Sequence, residues 1–131
     1  MPASRKLAEL TDLQLAILDV LWERGEATVR EVHERLEPTT RLARKTIGTL
    51  LHRLEKQGVL AFRTDGREYW YRPTVTREAV RAARVERLVG GLFGGDLPSM
   101  VSFAIGRGDV DAADLERIRA LLDAARPGGE S

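Results

Sequence analysis

Apolar residues in the first half of the chain recur at helical spacing in three separate runs. In "LTDLQLAILDVLWERG", Leu13, Ile17, Val20 and Leu21 fall on one face. Thr11 and Gln14 have the T-x-x-Q spacing of a capping box and Gly25 stops the run, which predicts a helix over roughly Asp12 to Arg24. "TVREVHERLEP" repeats the device: Thr28 and Glu31 form the box, Val29, Val32 and Leu36 line one face, and Pro38 follows the end. After the loop "EPTTR", Ile47, Leu50, Leu51 and Leu54 recur at i, i+3, i+4 and i+7, and Gly58 is a left-handed stop.

The period then changes. "VLAFRT" and "REYWYRP" are rich in β-branched and aromatic residues and flank Asp65-Gly66, a strong hairpin signal. Tyr69 and Tyr71 share one face of the hairpin and Trp70 takes the other, so one face packs on the helices while the arginine-bearing tip is exposed. From Thr76 the helical pattern returns in "TREAVRAARVERLVGGLF", with Val80, Leu88 and Leu92 among its apolar positions. A glycine-rich break leads to the short apolar segment "LPSMVSFAIG". A last run, with Asp111 as N-cap, sets Leu115, Ile118, Leu122 and Ala125 along one stripe. "RPGGES" reads as a frayed tail.

Three helices followed by a hairpin is the order of a winged helix-turn-helix, in which the third helix enters a DNA major groove and the hairpin tip reaches the flanking backbone. The expected fold is therefore mainly α with a small β-hairpin. It comprises an N-terminal winged helix-turn-helix over residues 1–75, a helical dimerisation region over 76–126 and a flexible tail over 127–131. The dimerisation region is too short and too striped to form a compact core alone, which favours pairing with a second copy.

Composition narrows the chemistry. The net charge is +1, but it is unevenly spread: residues 1–38 carry −3, residues 39–72 carry +5 and residues 73–131 carry −1. The basic surface thus begins near the third helix. There is no cysteine, which excludes disulfides, thiolate metal sites and cysteine nucleophiles. No cofactor or metal is expected: His33 and His52 are single histidines, suited to a solvated side chain or a phosphate contact rather than to ligation. No apolar run approaches the ~20 residues needed to cross a bilayer and the N-terminus has no signal-peptide core, so a cytoplasmic location without membrane insertion is expected.

On the third helix Lys45, Thr49, His52 and Lys56 cluster opposite the leucine stripe, with Arg44, Thr46 and Arg53 beside them. Threonine offers a hydroxyl and a methyl to base edges, arginine bridges O6 and N7 of guanine, and lysine neutralises phosphate. Lys45, Thr46 and Thr49 are the better base readers because the N-terminal part of a recognition helix meets the bases. Taken alone, such a face is ordinary for a solvated helix, and only its place in the element order gives it meaning. Arg63 and Arg67 flank the turn and would meet phosphates or the minor groove. Gly48 costs about 1 kcal/mol relative to alanine in a helix interior, for which close backbone approach or tight helix packing is the expected reason.

These residues resemble the penicillinase-repressor (BlaI/MecI/CopY) family of bacterial regulators. The resemblance runs through "LTDLQLAILDVLWERGEATVREVHERL", "KTIGTLLHRLEKQG", "GREYWYRP" and "LFGGDLPSMVSF" to the last helix. It implies a homodimer whose winged helices occupy the halves of a palindromic, double-stranded DNA operator, with C-terminal helices that interlock the two chains and repression by promoter blockage. The family's operator-contacting pattern falls on Lys45, Thr46, Thr49, Arg53 and Arg67, and Gly48 stands where a longer side chain is common. Pairing would use Val80, Leu88, Leu92, Phe93, Met100, Phe103, Leu115, Ile118 and Leu122.

In β-lactam-responsive members a membrane sensor triggers proteolysis between Asn and Phe. The corresponding bond here is Ser102-Phe103, a departure that bears on cleavage by any sensor-linked protease. Copper-responsive members use a cysteine cluster, which this chain lacks. Two rival classes remain for comparison. An enzyme is disfavoured because no nucleophile elbow, phosphate loop or metal-ligand spacing is present. A winged helix used for protein docking without sequence-specific DNA binding is disfavoured by the +5 central segment.

Overall fold

The computed structural model describes residues 4–125, so the predicted tail lies outside the described residues. The chain divides into two compact units, one running through Arg87 and the other beginning at Leu88.

The first unit opens with a short helix that the sequence pattern did not announce, α1 (Ser4–Ala8), and continues with α2 (Asp12–Arg24), β1 (Ala27–Thr28), α3 (Val29–Thr40) and α4 (Arg44–Lys56). The wing follows as β2 (Leu60–Asp65) and β3 (Glu68–Pro73), and then α5 (Arg77–Leu92) begins. Both predicted capping boxes form: Thr11 with Gln14 on α2, and Thr28 with Glu31 on α3. Ile17, Leu18 and Leu21 from α2, Val32 from α3 and Ile47, Leu51 and Leu54 from α4 have no exposed surface. They meet in one core that also takes Leu7, Leu10, Val59, Tyr71 and Val75.

Two local expectations change. Pro38 lies inside α3 rather than after it. Being in the last turn it forfeits one amide donor, and nearby the Thr40 hydroxyl donates to the Leu36 carbonyl at 3.0 Å. The helix ends instead at Arg41, which adopts the left-handed conformation (φ 59°) usually taken by glycine. The wing, too, is not a two-stranded hairpin. β1 pairs antiparallel with β3, giving a three-stranded sheet in the order β1-β3-β2, with Thr28 opposite Trp70 and Ala27 opposite Tyr71. A two-residue strand has no periodicity to read, so only the fold exposes it.

The first unit also extends past residue 75, because Val80 and Ala83 on the early turns of α5 pack into its core. Val80, expected at the pairing surface, is therefore a core residue of this unit and only 3% exposed. The Trp22 indole N–H donates to the Val75 carbonyl at 2.9 Å and holds the segment leading into α5 to α2.

The second unit contains the end of α5, then α6 (Leu97–Gly106) and α7 (Ala112–Ala124). Asp96 caps α6 through the Ser99 amide, and Asp111 caps α7 as predicted, completing a capping box with Asp114. Neither helix buries a single residue. Leu92, Phe103 and Leu122 are 75%, 60% and 66% exposed, so the apolar stripes read in the sequence stay uncovered by this one chain. A cleft of about 690 Å³ opens beside Leu122, lined also by Leu97, Val101, Ser102 and Ile105. No single helix among the described residues is long and apolar enough to cross a membrane.

Candidate nucleic-acid interface

α4 is fixed by its inner face, and that fixes what its outer face presents. With Ile47, Leu51 and Leu54 fully buried, Arg44, Lys45, Thr46, Thr49, His52, Arg53 and Lys56 all stand exposed. The sequence-predicted set is thus brought to one surface. The Thr49 hydroxyl donates to the Lys45 carbonyl at 3.1 Å.

The start of α4 is electrostatically unusual. The other long helices have a polar side chain at the N-terminus, from Thr11, Thr28, Thr76, Asp96 or Asp111. α4 begins after Ala43 with no side-chain cap and has no acidic residue in its first turn, where Arg44 and Lys45 stand instead. A missing cap costs about 0.5–2 kcal/mol, and cations at the positive end of the helix dipole cost a few tenths more. A segment that gives up stability in this way suits an anion laid across its amide groups.

Arg67 at the wing tip and Arg44 face a common cleft of about 230 Å³, whose walls also include Arg30, Glu68, Tyr69 and Tyr71. Arg30, on α3, was not singled out by the sequence, because one arginine on an amphipathic helix carries no signal until the wing is folded beside it. Its guanidinium is 3.4 Å from Glu34 on an exposed surface, a weak pair that a phosphate can displace. Phe62 and Tyr69 stack at 4.7 Å on this same side of the wing, and Tyr71 beneath them is buried, which pushes its hydroxyl pKa up.

Arg63 departs from the expectation. It lies on the opposite face of the wing, where it makes a two-pronged bond to Glu26 at 3.0 and 2.7 Å and sits 5.3 Å over the Trp70 ring. The hydrogen bond to Arg63 holds the Glu26 carboxyl below its usual range and raises the Arg63 guanidinium in return. Arg63 therefore braces the wing, unlike Arg67, which has no ion pair among the described residues.

His33 is half-buried rather than exposed. Its Nε2 lies 3.1 Å from the Leu42 carbonyl, tying α3 to the turn that starts α4. Gly48 has room: an added Cβ would sit 3.6 Å from Val29, ordinary contact, so space does not require glycine there. Among the described residues no group of three or more His, Asp or Glu side chains gathers to hold a metal ion.

The helices and wing that build this surface match known proteins. The transcriptional regulator BlaI of Mycobacterium tuberculosis is 37% identical over 122 residues, covering 91% of this chain and 88% of that protein. The penicillinase repressor of Bacillus licheniformis is 24% identical over 119 residues, covering 91% of this chain and 93% of that one. Among solved structures, the DNA-binding domain of the repressor BlaI superposes with a TM-score of 0.51 at 29% identity, covering 60% of this chain and 93% of that chain. The profile of the penicillinase repressor family matches residues 10–124, across both units. With the winged helix and the helical second unit both accounted for, this chain belongs to the penicillinase repressor family.

Proposed function

We propose that the chain is a homodimeric transcriptional repressor that binds a palindromic operator through α4 and the wing. The observation that carries this reading is the outer face of α4: an uncapped, acid-free N-terminus with Arg44 and Lys45 in its first turn and Thr46, Thr49 and Arg53 exposed beyond it. Lys45, Thr46 and Thr49 read base edges, Arg53 bridges to a guanine, and Arg30, Arg44, His52 and Arg67 hold phosphates on either side. Each half-site is met by one chain. The relatives named above are called transcriptional regulators and repressors, which supports the same role here.

The second unit, from Leu88 onward, is the proposed pairing region. Leu92, Phe103, Leu115 and Leu122 are too exposed for a chain that works alone. Leu88, Phe93, Met100 and Ile118 complete the apolar surface that a second copy covers. Release by a sensor-linked protease would act at Ser102-Phe103. That bond lies within α6, so cutting it requires the helix to open, and serine in place of the family's asparagine makes it a poor target for an Asn-Phe-directed enzyme.

Selection of bound duplexes from a random pool by the purified protein tests the reading. A two-fold palindrome should emerge, with affinity falling steeply as salt rises, by a slope of about −0.9 per phosphate neutralised. No enrichment at low salt would assign the α4 face to a protein partner instead.

A further inference from the structure

The first unit has a further opening, away from α4 and the wing. A cleft of about 340 Å³ lies between α2 and the early turns of α5, with an apolar floor of Leu15, Trp22, Val80 and Val85. Its rim carries Arg77, Arg81 and Arg84 against one carboxylate, Asp19.

The side chains are unequally committed. Arg77 pairs with Asp19 at 3.3 Å and stacks 5.1 Å over the Trp22 ring. Arg84 donates to the Leu10 carbonyl at 2.6 Å. Arg81 makes no hydrogen bond or ion pair among the described residues. The Trp22 N–H is already spent on the Val75 carbonyl, so the indole offers only apolar surface to the cleft. Val85 adds an aliphatic wall that is 46% exposed.

A free guanidinium above an exposed apolar floor asks for one kind of occupant. We infer that this cleft binds a small organic anion, one carboxylate on an aromatic or short aliphatic body. The carboxylate takes the fork of Arg81, and the body lies on Leu15, Val85 and the edge of Trp22. The volume falls within the range of about 300–1,000 Å³ usual for small-molecule sites. One wall of the cleft is α5, the helix that continues to Leu92 in the second unit, so the ligand acts on the segment that joins DNA-binding and pairing regions. This last consequence rests on the proposed repressor function, whereas the binding itself does not.

The test uses the full chain carrying Trp70→Phe, which leaves Trp22 as the only tryptophan. Titration with benzoate and octanoate should change Trp22 emission saturably, with uncharged benzamide at least about tenfold weaker and Arg81→Gln lowering benzoate affinity about tenfold. Calorimetry on the unsubstituted chain gives the same comparison without relying on the variant's fold. No saturable binding of either acid, equal affinity for benzamide, or an unchanged Arg81→Gln variant overturns the proposal. So does a Val85→Lys chain that loses half its mass in light scattering, since a second copy would then be the occupant. Duplex binding measured with and without benzoate separates the two claims. A chain that binds benzoate but no duplex retains the cleft and loses the repressor function. A chain that binds duplex but no acid does the reverse.

Discussion

Arg53 and Arg63 carry the same guanidinium into opposite circumstances. Arg53 is exposed on α4 and has no ion pair among the described residues, so its charge is available to an operator. Arg53→Ala should cost about 1–3 kcal/mol on the selected operator and less on random duplex; equal losses on both would make it a backbone contact. Arg63 is bonded to Glu26, and that pair has a pH signature. Glu26 titrates below its ordinary 4.5 when folded, so the stabilisation is complete above that value and is lost as pH falls through the lowered one. The Arg63 Nε–H chemical shift should move as pH falls through the lowered Glu26 range, and a Glu26→Gln chain should show no such movement. The sequence made Arg53 legible because helical period alone decides its face. It could not do so for Arg63, whose partner lies 37 residues earlier.

Elements were legible where a cap or a long stripe marked them. Thr11, Thr28 and Asp111 each announced a helix start that forms as read. Pro38 misled because a proline near the end of a helix interrupts only the last turn, and α3 runs through it to Thr40. α4 inverts the rule, being a helix whose start is marked by the absence of a cap. Ala43→Ser should therefore raise folding stability by about 0.5–2 kcal/mol in thermal unfolding. Ala43→Asp should stabilise similarly yet weaken duplex binding by at least about tenfold, since its carboxylate would meet phosphate. Equal duplex affinity of the two variants would remove the N-terminus of α4 from the interface.

At the scale of the molecule, the uncovered stripes of α6 and α7 were visible in the sequence as apolar residues with too few neighbours. Val80 was not separable from them, because α5 carries one continuous stripe whose early turns belong to the first core and whose later turns do not. Leu122→Lys should give single chains in light scattering and a much weaker operator complex, as two half-sites are no longer tethered. A dimer of unchanged mass would place the pairing surface elsewhere. The first unit, by contrast, is knotted together at one residue. Thr28 is buried, its hydroxyl accepts from the Glu31 amide at 3.1 Å to start α3, and its backbone sits opposite Trp70 on the wing. A single threonine thus belongs to the helix before α4 and to the sheet beside it. The wing is then no independent flap: in hydrogen exchange the protected amides of β3 and those of Thr28 and Glu31 should open together, at one rate, as a single cooperative body.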